Sequence, residues 1–326
     1  MRQAFYDRLE EIARCDRNVH VLTANLGFKF FDRIRSTCPE QFLDVGVAEA
    51  NMISLAAGMT VCGKNVYCYS IIPFLTMRAY EQIRIDICYH NLNVKLVGMG
   101  AGFTYGLEGY THFGIEDIAL MRAIPGMHIV APDTVENAVK IAELSHTYPF
   151  PLYVRLGRAG IHSEKRRPSI NSIGEASVLS EGNDLALIAN GNMVPVCDAV
   201  AERLRREGIG VTLVNMHTIK PFDHVTVQQC AVLHPMIVTA EEHSIVGGLG
   251  SAVAEVLAET SYKGKFARIG IPEHLDAGVI GHADHLWDHY GLSAERIYHR
   301  IKELLRSLSI REDESVVQSQ ICRSST

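Results

Sequence analysis

Short apolar runs alternate with stretches of helical period along almost all of this 326-residue chain, in two series separated by a polar gap. In the first series an amphipathic helix over residues 3–14, with Phe5, Leu9, Ile12 and Ala13 on one face, precedes an apolar strand from Val19 to Asn25. Strand Phe42–Val45 leads to helix Ala48–Cys62, strand Val66–Ser70 to helix Phe74–Asn91, and strand Val94–Met99 to a glycine-rich loop through Phe113. Helix Ile115–Ile124 stops at Pro125-Gly126, and strand Met127–Ala131, a helix from Thr134 to His146 and strand Leu152–Leu156 complete the series. Apolar strands joined by helices call for a parallel sheet covered on both faces.

Residues 161–182 are polar and irregular, with Glu164-Lys165-Arg166-Arg167-Pro168 at their centre, and read as a linker. The second series runs through strand Asp184–Ala189, helix Met193–Glu207, strands Gly210–Val214 and Met236–Glu241, helix Gly250–Thr260, strand Phe266–Ile271 and helix Ser293–Leu308. The expected class is α/β with two doubly wound domains, a mostly parallel one over 1–160 and a smaller one over 183–308, then a frayed tail over 309–326.

A net charge of −6 gives no basic footprint for nucleic acid or an anionic membrane, and no apolar run approaches the ~20 residues of a membrane helix. The charged amino terminus has no apolar signal core, so the expected compartment is the cytoplasm. Eight cysteines without a Cys-x-x-Cys pair argue against a disulfide framework and a thiolate zinc site.

Several motifs invite chemistry. The loop Gly98 to Gly106 follows a strand and is dense in glycine, but a dinucleotide turn needs its helix to open at once, and Phe103 to Phe113 do not supply it. Gly247-Gly248-Leu249-Gly250 reads as a tight helix entry. His282, His285 and His289 share a helical face that could hold a metal in principle, a solvated face being the commoner outcome. Glu108 and His112 sit on a loop at the carboxyl end of a strand. Glu49 lies in the first turn of a helix, just after strand Phe42–Val45 and the turn at Gly46, on the same sheet edge. That edge is where such sheets bind ligands; the plainer alternative is an acid complementing the helix dipole, worth about 0.3–1 kcal/mol.

Together these segments resemble one family. Asp44-Val-Gly-Val-Ala-Glu49, Phe74-Leu-Thr-Met-Arg78-Ala-Tyr80-Glu-Gln82, Thr111-His112-Phe-Gly-Ile-Glu-Asp117, Pro125-Gly-Met127 and Val154-Arg-Leu-Gly-Arg158 follow the order and spacing of the transketolase family. Thr239-Ala-Glu-Glu-His243 through Val253 resembles that family's C-terminal domain. The resemblance covers residues 1–308 and is nearest to split transketolases encoded as two subunits.

The resemblance implies thiamine diphosphate as cofactor, with residues 1–160 binding its pyrimidine. Glu49 takes the place of the acid that hydrogen-bonds the pyrimidine nitrogen and drives the imino tautomer, a task favoured by desolvation. Phe74 and Tyr80 would pack around the pyrimidine, Met77 would soften that wall, and Asn25 stands for an aspartate near the cofactor. His112 would hydrogen-bond substrate oxygen at the reacting carbon, Arg158 would contact substrate phosphate, and Glu108 stands for an aspartate that reads hydroxyls. Gly100 replaces a histidine used by phosphate-handling relatives, and polar first-loop residues give way to Phe28, although Lys29 could supply a charge. These departures imply a ketol donor or acceptor that lacks the usual terminal phosphate or presents it differently.

The sequence has no Gly-Asp-Gly, the family's mark of the diphosphate site. The resemblance therefore implies an N-terminal partner subunit that holds the diphosphate through Mg2+ or Ca2+, in an α2β2 heterotetramer acting on small sugars. Three alternatives stay open: a condensation like that of 1-deoxy-xylulose-5-phosphate synthase, a 2-oxoacid dehydrogenase β subunit, and a non-catalytic assembly or regulatory subunit of this fold.

Overall fold

The computed structural model describes residues 1–27, 30–157, 169–276 and 278–307, so Phe28, Lys29, Arg158, the 309–326 tail and part of the linker lie outside the described residues. The first half runs α1 (Arg2–Cys15), β1 (Val19–Thr23), α2 (Asp32–Thr37), β2 (Phe42–Asp44), α3 (Glu49–Val61), β3 (Asn65–Ile71), α4 (Ile72–Thr76), α5 (Tyr80–Gln82), β4 (Val94–Met99), α6 (Asp117–Ala123), β5 (His128–Val130), α7 (Val135–Thr147) and β6 (Leu152–Leu156). The second runs β7 (Ser177–Ser180), β8 (Leu185–Ala189), α8 (Met193–Arg206), β9 (Val211–Asn215), β10 (Thr218–Lys220), α9 (His224–Leu233), β11 (Met236–Ser244), α10 (Leu249–Ala258), β12 (Lys265–Ile271), α11 (Ala283–His289) and a helix over 294–307.

The first sheet has the order β10-β5-β6-β4-β3-β1-β2, and all its pairings are parallel except β10 with β5. Its central strands β3, β4 and β6 are sandwiched between helices, which is why Val94–Met99 and Leu152–Leu156 read as unbroken apolar runs save for Lys95 and Arg155. The chain passes from β1 to β2 on one side and returns through α3 to β3 on the other. That reversal opens a crevice at the carboxyl ends of β1 and β3.

The second sheet has the order β12-β11-β8-β9-β7, parallel except for β7, and its core is continuous with the first domain's loop through Phe103 and Phe113.

Some elements depart from the periodicity. The expected helix Phe74–Asn91 is broken: Pro73 opens α4, the chain turns at residues 77–79, and α5 runs into a π-helical segment at Ile83–Cys88. The turn swings Arg78 back toward Glu49, the kind of local irregularity found at functional sites. β10, from the second half, pairs with β5 (Thr218 with Val130), and Lys220 Nζ donates to the carbonyls of Arg122 and Ile124 at the end of α6, at 2.8 and 2.6 Å. The two domains thus share a sheet edge. No helix among the described residues is long and apolar enough to cross a membrane.

Candidate active site

Asp44, at the end of β2, organises the crevice. Its Oδ1 accepts from the amides of Asn25 (2.8 Å) and Gly46 (3.0 Å), holding Asn25 at φ +53° and Gly46 at φ +75°. Asparagine and glycine tolerate this left-handed backbone, and the resulting turn delivers the chain into α3.

Glu49 is the first residue of α3 and only 1% exposed. A carboxylate serving the dipole alone would keep its water, so this one has another reason to be dry. Ser70, on β3, donates to Oε1 at 3.3 Å, and Arg78 donates to Oε2 at 2.7 Å. The Arg78 guanidinium is half-exposed and lies 4.6 Å from the centroid of the Phe74 ring. Phe74 in turn meets His112 edge-to-face at 5.0 Å. A dry acid beside a half-buried aromatic face fits a flat heteroaromatic ring carrying a basic nitrogen.

His112 ends a short 3-10 turn, and its Nδ1 lies 2.9 Å from Thr111 Oγ1. With the hydroxyl donating to Nδ1, Nε2 carries the proton and can donate to a substrate oxygen. Glu108 is exposed on the rim, and Met77 is exposed beside Arg78. Tyr80 does not turn toward Glu49; its hydroxyl donates to Leu120 O at 3.2 Å and its ring packs on the core. Asn25 contributes its backbone to the turn and leaves its side chain exposed.

At Gly100 the backbone has φ +103°, and an added Cβ would stand 2.6 Å from the Tyr105 ring. Tyr105 fills the place into which a side chain at 100 would project, so both the backbone and this neighbour favour glycine there.

Arg78, Ser70, Tyr105 and the buried pair Arg155–Asp117 shape this site, although the sequence motifs gave none of them a role in it. Arg155 donates to Asp117 Oδ2 at 2.7 Å and to the Gly114 carbonyl at 2.6 Å, while Tyr153 donates to the same Asp117 oxygen at 2.7 Å. Arg155 had a signal, since a charge inside an apolar strand is rarely tolerated without a partner. On α11, His289 pairs with Asp276 at 2.7 Å, and the His282 and His285 rings are 6.4 Å apart. Among the described residues no group of three or more His, Cys, Asp or Glu could hold a metal.

Fold and site define a doubly wound module with a dry acid at its switch point, joined to a second α/β domain that closes over its loop. A family model described as transketolase, pyrimidine binding domain, matches residues 1–162, and one described as transketolase, C-terminal domain, matches residues 174–297. A chain named as a transketolase C-terminal section from Methanocaldococcus jannaschii is 39% identical over 94% of this chain and 96% of its own. The 6-deoxy-6-sulfo-D-fructose transketolase subunit of a Clostridium species is 36% identical over 95% of this chain and 96% of its own. Among solved structures, one described as a split gene transketolase, inactive beta4 tetramer, superposes with a TM-score of 0.82 at 33% identity, covering 94% of this chain and 97% of that one. This chain belongs to the transketolase family, as a transferase subunit of the split kind.

Proposed function

We propose that this chain is the pyrimidine-binding subunit of a two-subunit, thiamine diphosphate-dependent enzyme that moves a two-carbon ketol unit from one sugar to another. The observation that carries the reading is Glu49, desolvated at the switch point between Ser70 and Arg78 and beside Phe74. When bound, the cofactor would supply the nucleophilic thiazolium carbon that breaks and remakes the bond beside the ketose carbonyl. Glu49 would hold a proton at the pyrimidine nitrogen, and Ser70 and Arg78 keep its carboxyl group aimed. Phe74 would flank the ring and exclude water. His112 would donate to the oxygen on the reacting carbon, with Glu108 reading hydroxyls farther out, and we keep Lys29 and Arg158 as substrate contacts on the strength of the family resemblance alone.

The rest of the cofactor site belongs to a partner. No Gly-Asp-Gly occurs in the sequence, so the partner would hold the diphosphate and its Mg2+ or Ca2+ in an α2β2 assembly. Helix α3 supports this. Asn51, Ser54, Gly58 and Val61 form an exposed stripe along it, beginning beside Glu49, and Gly58, without a side chain, leaves room for close approach. The similar chain solved as an inactive tetramer is consistent with silence in the partner's absence. We place the enzyme in the cytoplasm.

For the substrate, Gly100 with Tyr105 in the histidine's place favours a sugar without the usual terminal phosphate, or one presenting a different anion. The similar subunit named for a sulfonated fructose supports that class.

The test is purification from the native host with magnesium and thiamine diphosphate present. A stoichiometric companion, cofactor binding only in the complex, and ketol transfer without carbon dioxide release are expected. Tight cofactor binding by this chain alone would overturn the partner, and carbon dioxide release from a 2-oxo acid would establish the synthase alternative.

A further inference from the structure

The second sheet reverses at β8, since the chain goes from β8 to β9 on one side and crosses to β11 on the other. The crevice at the carboxyl ends of such strands is where a doubly wound domain ordinarily receives a ligand. Here it receives the first domain. Oε1 of Glu242, near the end of β11, accepts from the Phe103 amide at 2.8 Å and from Trp287 Nε1 at 2.6 Å, and Oε2 accepts from Asn192 Nδ2 at 2.8 Å. The seat has no slack, because a Cβ on Gly102 would lie 1.9 Å from Glu242 Cδ.

Phe103 opens the loop that carries Glu108 and His112. The loop's stem is closed by Gly102 and Gly114, each amide donating to the other's carbonyl at 2.8 and 3.0 Å. Arg155 Nη2 ties that stem to the second domain by donating to the carbonyls of Gly114 (2.6 Å) and Glu242 (3.0 Å). Midway, the Gly281 amide donates to the Gly106 carbonyl at 3.2 Å, and the Phe103 ring stacks on Tyr290 with centroids 5.4 Å apart. Glu49 stands apart from this set, on α3 against β3 and Arg78.

We infer that Glu242 is a positioning residue for sugar recognition: by gripping the Phe103 amide it sets where His112 and Glu108 stand, so the second domain governs substrate use without touching substrate. The inference rests on the reading that His112 and Glu108 face the sugar. A displacement of ~1 Å at such a site costs on the order of 100-fold in rate.

The test uses the assembled enzyme. Glu242→Asp keeps the carboxyl group but withdraws it by one methylene, out of reach of Phe103 and Trp287 together. Its kcat/KM for sugar should fall at least 30-fold while affinity for thiamine diphosphate stays within twofold. Glu242→Gln should restore kcat/KM to within threefold, since its oxygen still accepts from both and its amide can donate to a flipped Asn192. Trp287 is the chain's single tryptophan, so its emission in the full-length chain should shift in Glu242→Asp and not in Glu242→Gln. Should Glu242→Asp not fold, Trp287→Phe removes one donor and keeps a ring, and should lower kcat/KM in the same selective way. Unchanged kcat/KM, or a parallel loss of cofactor affinity, overturns the inference. His112→Ala separates the two levels: full activity there sinks the site reading itself, whereas a crippled His112→Ala beside an unaffected Glu242→Asp sinks only the positioning role.

Discussion

Arg78 Nη1 donates to Glu49 Oε2 at 2.7 Å while its guanidinium faces both water and the Phe74 ring. The pairing is asymmetric, one partner dry and the other half in solvent. The dry end makes the attraction strong, and the wet end lets the arginine give way. A heteroaromatic nitrogen bound at Glu49 as proposed would compete for the same carboxyl group, and Arg78 could turn toward the solvent it already meets.

Replacing Glu49 by Gln keeps the volume and, with its oxygen toward Arg78 and its amide donating to the Ser70 hydroxyl, a hydrogen bond to each, but removes the proton-sharing group. Activity of the complex should fall at least ~100-fold, the lower end of what a positioned acid or base contributes. Circular dichroism spectra should show the native fold retained. Retained activity would favour an assembly or regulatory role.

Gly100→His tests whether the missing histidine can be restored by substitution. The left-handed backbone and the Tyr105 ring both oppose a side chain there. Denaturant titration should show a loss of about 1–3 kcal/mol, the usual range for local backbone strain, with no gain in turnover of phosphorylated sugars. A neutral, better-working variant would refute the steric account.

Arg155→Met should be among the most damaging substitutions. It leaves Asp117 buried with only Tyr153, and it strips a donor from the carbonyls of Gly114 and Glu242. Breaking a buried ion pair costs about 3–5 kcal/mol, a large part of a domain's stability. Adding Asp117→Leu should recover some of that loss in chemical unfolding, because the stranded charge is gone.

Burial pushes the His217 imidazole down to about 4, against the opposing pull of Asp133, Asp223 and Glu175. Between pH 4 and 6.5 the unfolded chain therefore binds a proton that the native one does not, so stability is lost as pH falls through that window. Buried His243 is also pushed down to about 4, whereas its neighbour Glu241 is pushed up to about 7 and works in the opposite sense between pH 4.5 and 7. His217→Gln isolates one share: its stability should decline less steeply from pH 6.5 to 4 than the parent's. Parallel profiles in urea titrations would exclude this assignment.

The sheet was legible because each strand's burial leaves a local trace. Leu185–Ala189 sits between helices and so is apolar throughout, and in Val66–Ser70 the run is apolar or aromatic up to Ser70. Glu49 was legible for a related reason, since a strand, a glycine turn and a helix place it at the sheet edge whatever else the chain does. The breaks at 77–79 and the return of β10 to the first sheet left no such trace. Arg78's turn is fixed by a carboxylate 29 residues earlier, and β10's pairing by β5, some ninety residues before it.

By itself, then, the sequence determined the two α/β domains, the strand-end acid and the missing diphosphate motif, all of which follow from residues close together along the chain. Only the tertiary structure decided that Ser70 and Arg78 grip Glu49, that Tyr105 closes the space at Gly100, and that Glu242 holds the loop between Gly102 and Gly114 from the other domain. Glu242 and Phe103 are 139 positions apart. Hydrogen bonds across such a span depend on how two packed domains meet, and no local periodicity encodes that.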